Sequence, residues 1–180
     1  YTVAPTKGQT TGKQYYPADV SGGQGNSYVQ DIESCTPVPF SCGDSVPIIT
    51  SGVPASQTFN GIETLIYAGG QGLNQGQDGI DTSTGPPFAL LAGNQNPYVA
   101  SGTQVAASDS IVSLPLFDST QGAGNGSSEV VLGFIQIFLT QAFSNGKIQG
   151  VVLNVSGCGQ NNQSGQPVEG ATPIPVRLVQ

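Results

Sequence analysis

The side chains able to do chemistry are few, and the missing types decide more than those present. The chain has no histidine, which removes the commonest general base and metal ligand. Serine–histidine and cysteine–histidine nucleophiles are thereby excluded. What remains is a set of carboxylates and three thiols. Asp78, Asp81, Asp109 and Asp118 are the acids from which a glycosidase-like pair would have to be drawn. Nothing in their spacing brings two together, so turn and surface roles are the better reading. Asp78 and Asp81 are the only charges in the glycine-rich run Gly69 to Pro87. Two carboxylates among backbone carbonyls suit Ca²⁺, a hard cation that takes oxygen ligands. They are the candidate calcium ligands, although the spacing matches no EF-hand and Asp-Gly is ordinary turn chemistry. No other cofactor or metal is expected. The glycine runs lack the Gly-x-x-x-x-Gly-Lys-Ser pattern that cradles phosphate, and no enzymatic activity is expected.

The thiols are Cys35, Cys42 and Cys158. Cys35 and Cys42 enclose Thr-Pro-Val-Pro-Phe-Ser, a short loop stiffened by Pro37 and Pro39. They are expected to form a local disulfide with Cys158 unpaired, the alternative being three reduced, buried thiols. With no histidine and no Cys-x-x-Cys, a zinc site is not supported. Asn125 and Asn162 begin glycosylation sequons in loop-like stretches; Asn154 fits the pattern too but falls on a strand. Without tryptophan, sugar stacking would rest on tyrosines such as Tyr15, Tyr16, Tyr67 and Tyr98.

The elements that must position these groups follow from composition and pattern. Only 8% of residues are charged, while 26 glycines and 13 prolines accompany many Ser, Thr, Asn and Gln. An ordinary soluble domain carries about 25% charged residues, so this surface is expected to be made of uncharged polar groups and turns. The net charge of −7 rests on four basic residues against eleven acids. No basic patch exists to neutralise phosphates, so nucleic acid is not an expected partner. No methionine is present, even at position 1, and the chain is read as processed or trimmed.

The densest apolar stretch is Val130 to Ser156. Its β-branched and aromatic content, broken by Ser144-Asn145-Gly146, reads as a β-hairpin whose Asn-Gly supplies the positive-φ positions of a tight turn. Charge and polar interruptions make it too short for a membrane span. The expected fold is mainly β, an antiparallel sheet or sandwich built on a 130–156 hairpin, with one short helix near 57–68 and long Gly-rich loops. The helix is read from Phe59, Ile62, Leu65 and Ile66 at helical spacing, with Asn60 and Glu63 in a capping-like arrangement and Gly69-Gly70 as its stop. Ser45 to Thr50, Ser108 to Asp118 and Pro173 to Val179 are further strand candidates, and Phe88 to Ala92 a short buried piece. Residues 1–30 are read as an extended N-terminal arm and 31–180 as a single β-rich domain. The arm has only scattered apolar groups, Val3, Tyr15, Tyr16 and Val20 among them. Either it packs on its own domain, or it adds a strand to a neighbour's sheet.

Four blocks in order, Ser108–Asp118, Val131–Leu139, Val152–Gly159 and Pro173–Val179, resemble the C-terminal region of TadG-like (TadE/TadG-like) pilus-assembly proteins of bacterial tight-adherence systems. Weaker similarity extends back over about residues 31 to 180. The resemblance implies an extracytoplasmic, pilus-associated protein without enzymatic activity. The family begins with a membrane-anchoring helix that this chain does not contain, and carries a cysteine where this chain has Thr64. The loss of that cysteine would orphan one thiol, Cys158 being the candidate.

The expectation is therefore a structural subunit of an extracellular bacterial pilus or filament. Its partners would be copies of itself and other pilus proteins, with N-terminal strand addition as the means of assembly. The alternative is a secreted or pilus-tip adhesin that recognises surface glycan or protein through the Gly69–Pro87 loop.

Overall fold

A computed structural model describes residues 2–5, 14–20, 26–34, 38–49, 55–67, 76–117 and 128–158. The fold is mainly β, as the sequence pattern predicts. Its centre is the expected hairpin, β9 (Gly133–Ala142) and β10 (Ile148–Gly157), paired antiparallel. The turn is tighter in conformation than Asn-Gly suggests. Only Gly146 has positive φ, at 80°; its N–H donates to Phe143 O, and Phe143 N–H donates to Lys147 O. Asn145 keeps negative φ and instead accepts the Lys147 N–H on its side chain, so the turn works through one left-handed glycine rather than two left-handed residues.

Around the hairpin, β7 (Ile111–Leu116) pairs with β9, and β1 (Thr2–Pro5) pairs with β10, both antiparallel. β2 (Gln14–Tyr15) runs parallel to β1, which completes a five-stranded sheet of order β2-β1-β10-β9-β7. Leu139 N–H donates to Ser110 O, so even-numbered positions of β7 face the β9 ladder and Pro115 falls where an N–H would point away from it. That is why a proline is tolerated in this strand. Two smaller sheets complete the set: β3 (Ser45–Pro47) with β8 (Ser128–Val130), and β4 (Asp78–Asp81), β5 (Ala89–Ala92) and β6 (Gln104–Val105) in that order.

One face of the main sheet is covered by α2 (Ala55–Ile66). Ile62 and Ile66 of α2 pack with Ile137, Leu139, Ala142 and Ile148 as a buried cluster, flanked by Phe59, Leu65, Val112, Leu114, Ile135 and Val152. Cross-strand register places Val112 and Val152 on either side of Ile137. Each buried aliphatic side chain contributes about 2 kcal/mol. The expected Asn60–Glu63 cap does not form, because α2 begins five residues earlier and both are inside it. Tyr67, at φ 51°, follows the helix in the left-handed conformation common at helix ends; Gly69 and Gly70 lie outside the described residues.

A second helix, α1 (Asn26–Glu33), was not expected. It packs on α2, where Gly61 lets Ile32 approach: a methyl group at position 61 would meet the Ile32 side chain at 2.9 Å. It also crosses the expected boundary between arm and domain. The rest of the described N-terminal region also makes contacts with these elements. Thr2 and Val3 pair with Gln149 and Ile148, Tyr15 packs against the core, and Tyr16 meets Phe117 in a tilted ring contact with centroids 5.2 Å apart. Beyond Tyr16, Asp19 N–H and Ile49 N–H bond to Pro47 O and Pro17 O, and Ala18 bridges Ile48, so this stretch joins the main sheet to β3; Val20, the last of the arm's candidates, follows it half-buried.

The disulfide pairing differs from the expected Cys35–Cys42. Cys42 is bonded to Cys158, with 5.7 Å between their Cα atoms. The cause is the pairing of distant strands. Gly43 N–H donates to Val131 O, and Cys158 N–H donates to Leu132 O, so the segments that carry the two cysteines both border residues 131–132 and bring them to a distance a disulfide can span. Cys35 and the strand candidate Pro173–Val179 lie outside the described residues.

Candidate functional site

A concavity with several polar side chains in its lining lies beside β4. Its first wall is set by a backbone strap. Gly93 N–H donates to Gln77 O at 2.7 Å and Gln95 N–H to Gly76 O at 3.1 Å, which ties the turn after β5 to the entrance of β4. A side chain at position 93 would collide with the Gly76 carbonyl, so glycine is required for this approach. Gln77 N–H in turn reaches Ile66 O at the end of α2. The opposite wall is the turn into β7, where Ser110 N–H donates to Ser108 Oγ and Ser110 Oγ to Leu65 O.

Between these walls is a hollow of about 260 Å³, lined by Gln77, Asp78, Asn96, Tyr98, Ser108 and Asp109 among others. Asp78 is buried, and its Oδ1 accepts a hydrogen bond from Asn96 Nδ2 at 2.7 Å. Asn96 Oδ1 accepts the backbone N–H groups of Tyr98 and Val99 at 2.9 and 3.0 Å. One amide therefore joins a buried carboxylate to the loop that carries an exposed aromatic ring, for Tyr98 is 86% exposed. Across the hollow Gln77 Nε2 donates to Asp109 Oδ2 at 3.4 Å. Gln77 is 5% exposed, and its Oε1 has no hydrogen-bond partner among the described residues.

The candidate residues are distributed unevenly about this hollow. Of the four acids, Asp78 and Asp109 line it. Asp81 does not, and Asp118 lies outside the described residues. Asp78 and Asp81 are three apart on β4, so they leave opposite faces of the strand and form no common ligand sphere. Asp81 is half-buried and accepts the Ser83 N–H, and the Ser83 hydroxyl and N–H hold its carboxyl below the usual range. The expected long loop is interrupted here because the Asp78–Asp81 segment pairs along its length with Ala89–Ala92. No group of three or more His, Cys, Asp or Glu side chains gathers among the described residues. Of the tyrosines, Tyr98 alone stands at the hollow. Asn125 and Asn162 are outside the described residues.

Gln77, Asn96 and Ser108 carry no sequence signal as site residues. Asn96 falls in a segment, Gly93 to Pro97, whose composition marks only a turn. No helix among the described residues is long and apolar enough to cross a membrane. No protein-family model matches the chain, and neither a curated protein nor a solved structure matches it.

Proposed function

We propose that this chain is a non-enzymatic structural subunit of an extracellular bacterial filament, related to the TadG-like pilus-assembly proteins it resembles, and that copies join by exchange of the N-terminal strand. The observation that carries the mechanism is how β1 is held. It docks on β10 through two register pairs, Thr2 with Gln149 and Val3 with Ile148, and is joined to β2 by the segment 6–13. A strand attached through so few pairs gains the same main-chain bonds from a second copy, at a cost set by the linker. Apolar side chains at the end of the hairpin remote from its turn, Val130, Leu132 and Val155, are 43–56% exposed, as surface meant for packing between subunits would be. The Cys42–Cys158 bridge suits an oxidising compartment.

Electron microscopy of the purified chain tests the reading: ordered filaments are expected, and monodisperse particles at every concentration would sink it. The Thr2→Cys, Gln149→Cys double variant tests the mechanism separately. Exchange gives a ladder of covalent oligomers on non-reducing gels, whereas a cross-link confined to monomers rules exchange out. The competing adhesin reading is favoured by one observation, the hollow beneath Tyr98.

A further inference from the structure

We infer that the outer edge of β7 is a docking site for residues 173–179 of the same chain, which add to it as an antiparallel strand with Ile174, Val176 and Leu178 bonding to β7. Three observations converge. The first is the edge itself. β7 ends the main sheet, and among the described residues its strand partner is β9 alone. Ser110 O and Leu116 O accept the N–H groups of Leu139 and Leu132 from that side. Backbone groups alternate sides along a strand, so the odd-numbered residues of β7 present theirs outward. The outward set is the carbonyls of Ile111, Ser113 and Pro115 and the Ser113 N–H, since Ile111 N–H is committed to Ser108 O and proline has none. The strand is otherwise apolar, and every residue but Ser113 is half-buried. An apolar edge of six residues with open main-chain groups is a template for a further strand.

The second observation is the proline spacing of 173–179, Pro-Ile-Pro-Val-Arg-Leu-Val, a segment outside the described residues. Pro173 and Pro175 share a parity, so in a strand both nitrogens lie on one side, which must be the outer edge because no donor is needed there. The other side then carries the N–H groups of Ile174, Val176 and Leu178. Set against β7, Ile174 falls opposite Pro115, Val176 opposite Ser113 and Leu178 opposite Ile111. This register uses every open group: three carbonyls accept from three amides, and Ser113 N–H donates to Val176 O. Opposed residues share a face, so the three aliphatic side chains lie beside Ile111 and Pro115. The third observation is the route. Cys158, Leu132 and Leu116 are set side by side by the bonds from Cys158 N–H to Leu132 O and from Leu132 N–H to Leu116 O. A strand beyond Leu116 begins three interstrand spacings from Cys158, about 14 Å. Residues 159–172 can extend to roughly 45 Å. Entry at the Leu116 end makes the strand antiparallel to β7 without a crossover. The same segment of a second copy would bond equally well, but the short tether gives the chain's own segment the higher effective concentration. The pairing does not depend on filament formation, which microscopy reads separately.

Amide hydrogen exchange by NMR on the full chain tests the inference, with Ser113 N–H as the reporter. Exchange at least about tenfold slower than in an unstructured chain is expected, together with close Hα–Hα contacts between Val112 and Arg177 and between Leu114 and Pro175. Val176→Pro sets a ring against Ser113 O and should return the Ser113 amide to fast exchange. Arg177→Pro, whose nitrogen faces outward, should leave it slow, and protected amides in the central hairpin show that both variants are folded. Fast exchange at Ser113 in the wild type overturns the proposal, and this reading needs neither variant. An equal response to the two prolines also overturns it. So do Hα–Hα contacts that appear only between labelled and unlabelled copies in a mixed sample, which would assign the edge to a neighbour's strand.

Discussion

The Tyr15 hydroxyl donates to Gly146 O at 2.6 Å, fastening the start of the chain to the turn of the central hairpin. Beside it, Tyr28 Oη and Thr58 Oγ1 share a hydrogen bond of 2.9 Å in a buried setting. Burial pushes both phenols above their ordinary value of 10.0, and the Thr58 hydroxyl offsets part of the rise. A raised value in the folded state means that the unfolded chain ionises first as pH climbs. The stability from these groups is then complete below about pH 10 and is lost as pH rises from there through the folded values. The thermal midpoint should be flat up to about pH 10 and fall beyond it, with tyrosinate absorbance appearing together with unfolding. Tyr15→Phe should cost about 1–2 kcal/mol at neutral pH, by stranding the Gly146 carbonyl, and should flatten the alkaline fall. A fall unchanged by Tyr15→Phe and by Tyr28→Phe would show that other groups cause it. In the sequence Tyr15 and Tyr16 stand in a stretch with only scattered apolar residues, so they read as arm residues; the partners that bury them, Thr58, Gly146 and Phe117, are tens of residues away.

Among the elements, the two legible ones are those whose signal is local. β9 and β10 are adjacent and joined by a turn with the necessary glycine, and α2 repeats Ile62 and Ile66 on one face. α1 has only eight residues and polar neighbours, so its periodicity is too short to register. It exists because α2 offers a groove at Gly61. Gly61→Val tests this directly, since the new side chain must displace Ile32, which approaches an added methyl to 2.9 Å. The expected loss is about 2 kcal/mol in urea titration, with hydrogen exchange rising first in residues 26–34 and the hairpin amides still protected. Uniform loss of protection would mean that α1 and the hairpin unfold as one unit. β4 was hidden for a related reason: between its two aspartates stand only Gly79 and Ile80, and the pairing that makes it a strand is supplied by Leu90 and Leu91 of β5.

At the scale of the molecule, the hydrogen-bonded path runs from β7 through β9, β10, β1 and β2, crosses at Ala18–Ile48 into β3 and β8, and returns where Leu132 N–H meets Leu116 O and Leu132 O receives Cys158 N–H. Cys42–Cys158 closes this circuit covalently across a sequence separation of 116. A local Cys35–Cys42 loop is the natural sequence reading because short spacing and two prolines are visible in a row of letters, whereas the meeting of residues 42 and 158 depends on two separate strand pairings. The two arrangements make opposite predictions. Closing a loop of this length restricts the unfolded chain far more than closing one of a few residues, so losing the long bridge should cost roughly 3–5 kcal/mol. Cys42→Ser, Cys158→Ser and the double variant should show equal falls in the urea midpoint, with Cys35→Ser close to wild type. Reductant should lower the wild type to the same level and leave the double variant where it was. If instead Cys35→Ser matched Cys42→Ser while Cys158→Ser were silent, the local pair would be the true one, and residues 131–132 would be held to the two flanking segments by hydrogen bonds alone.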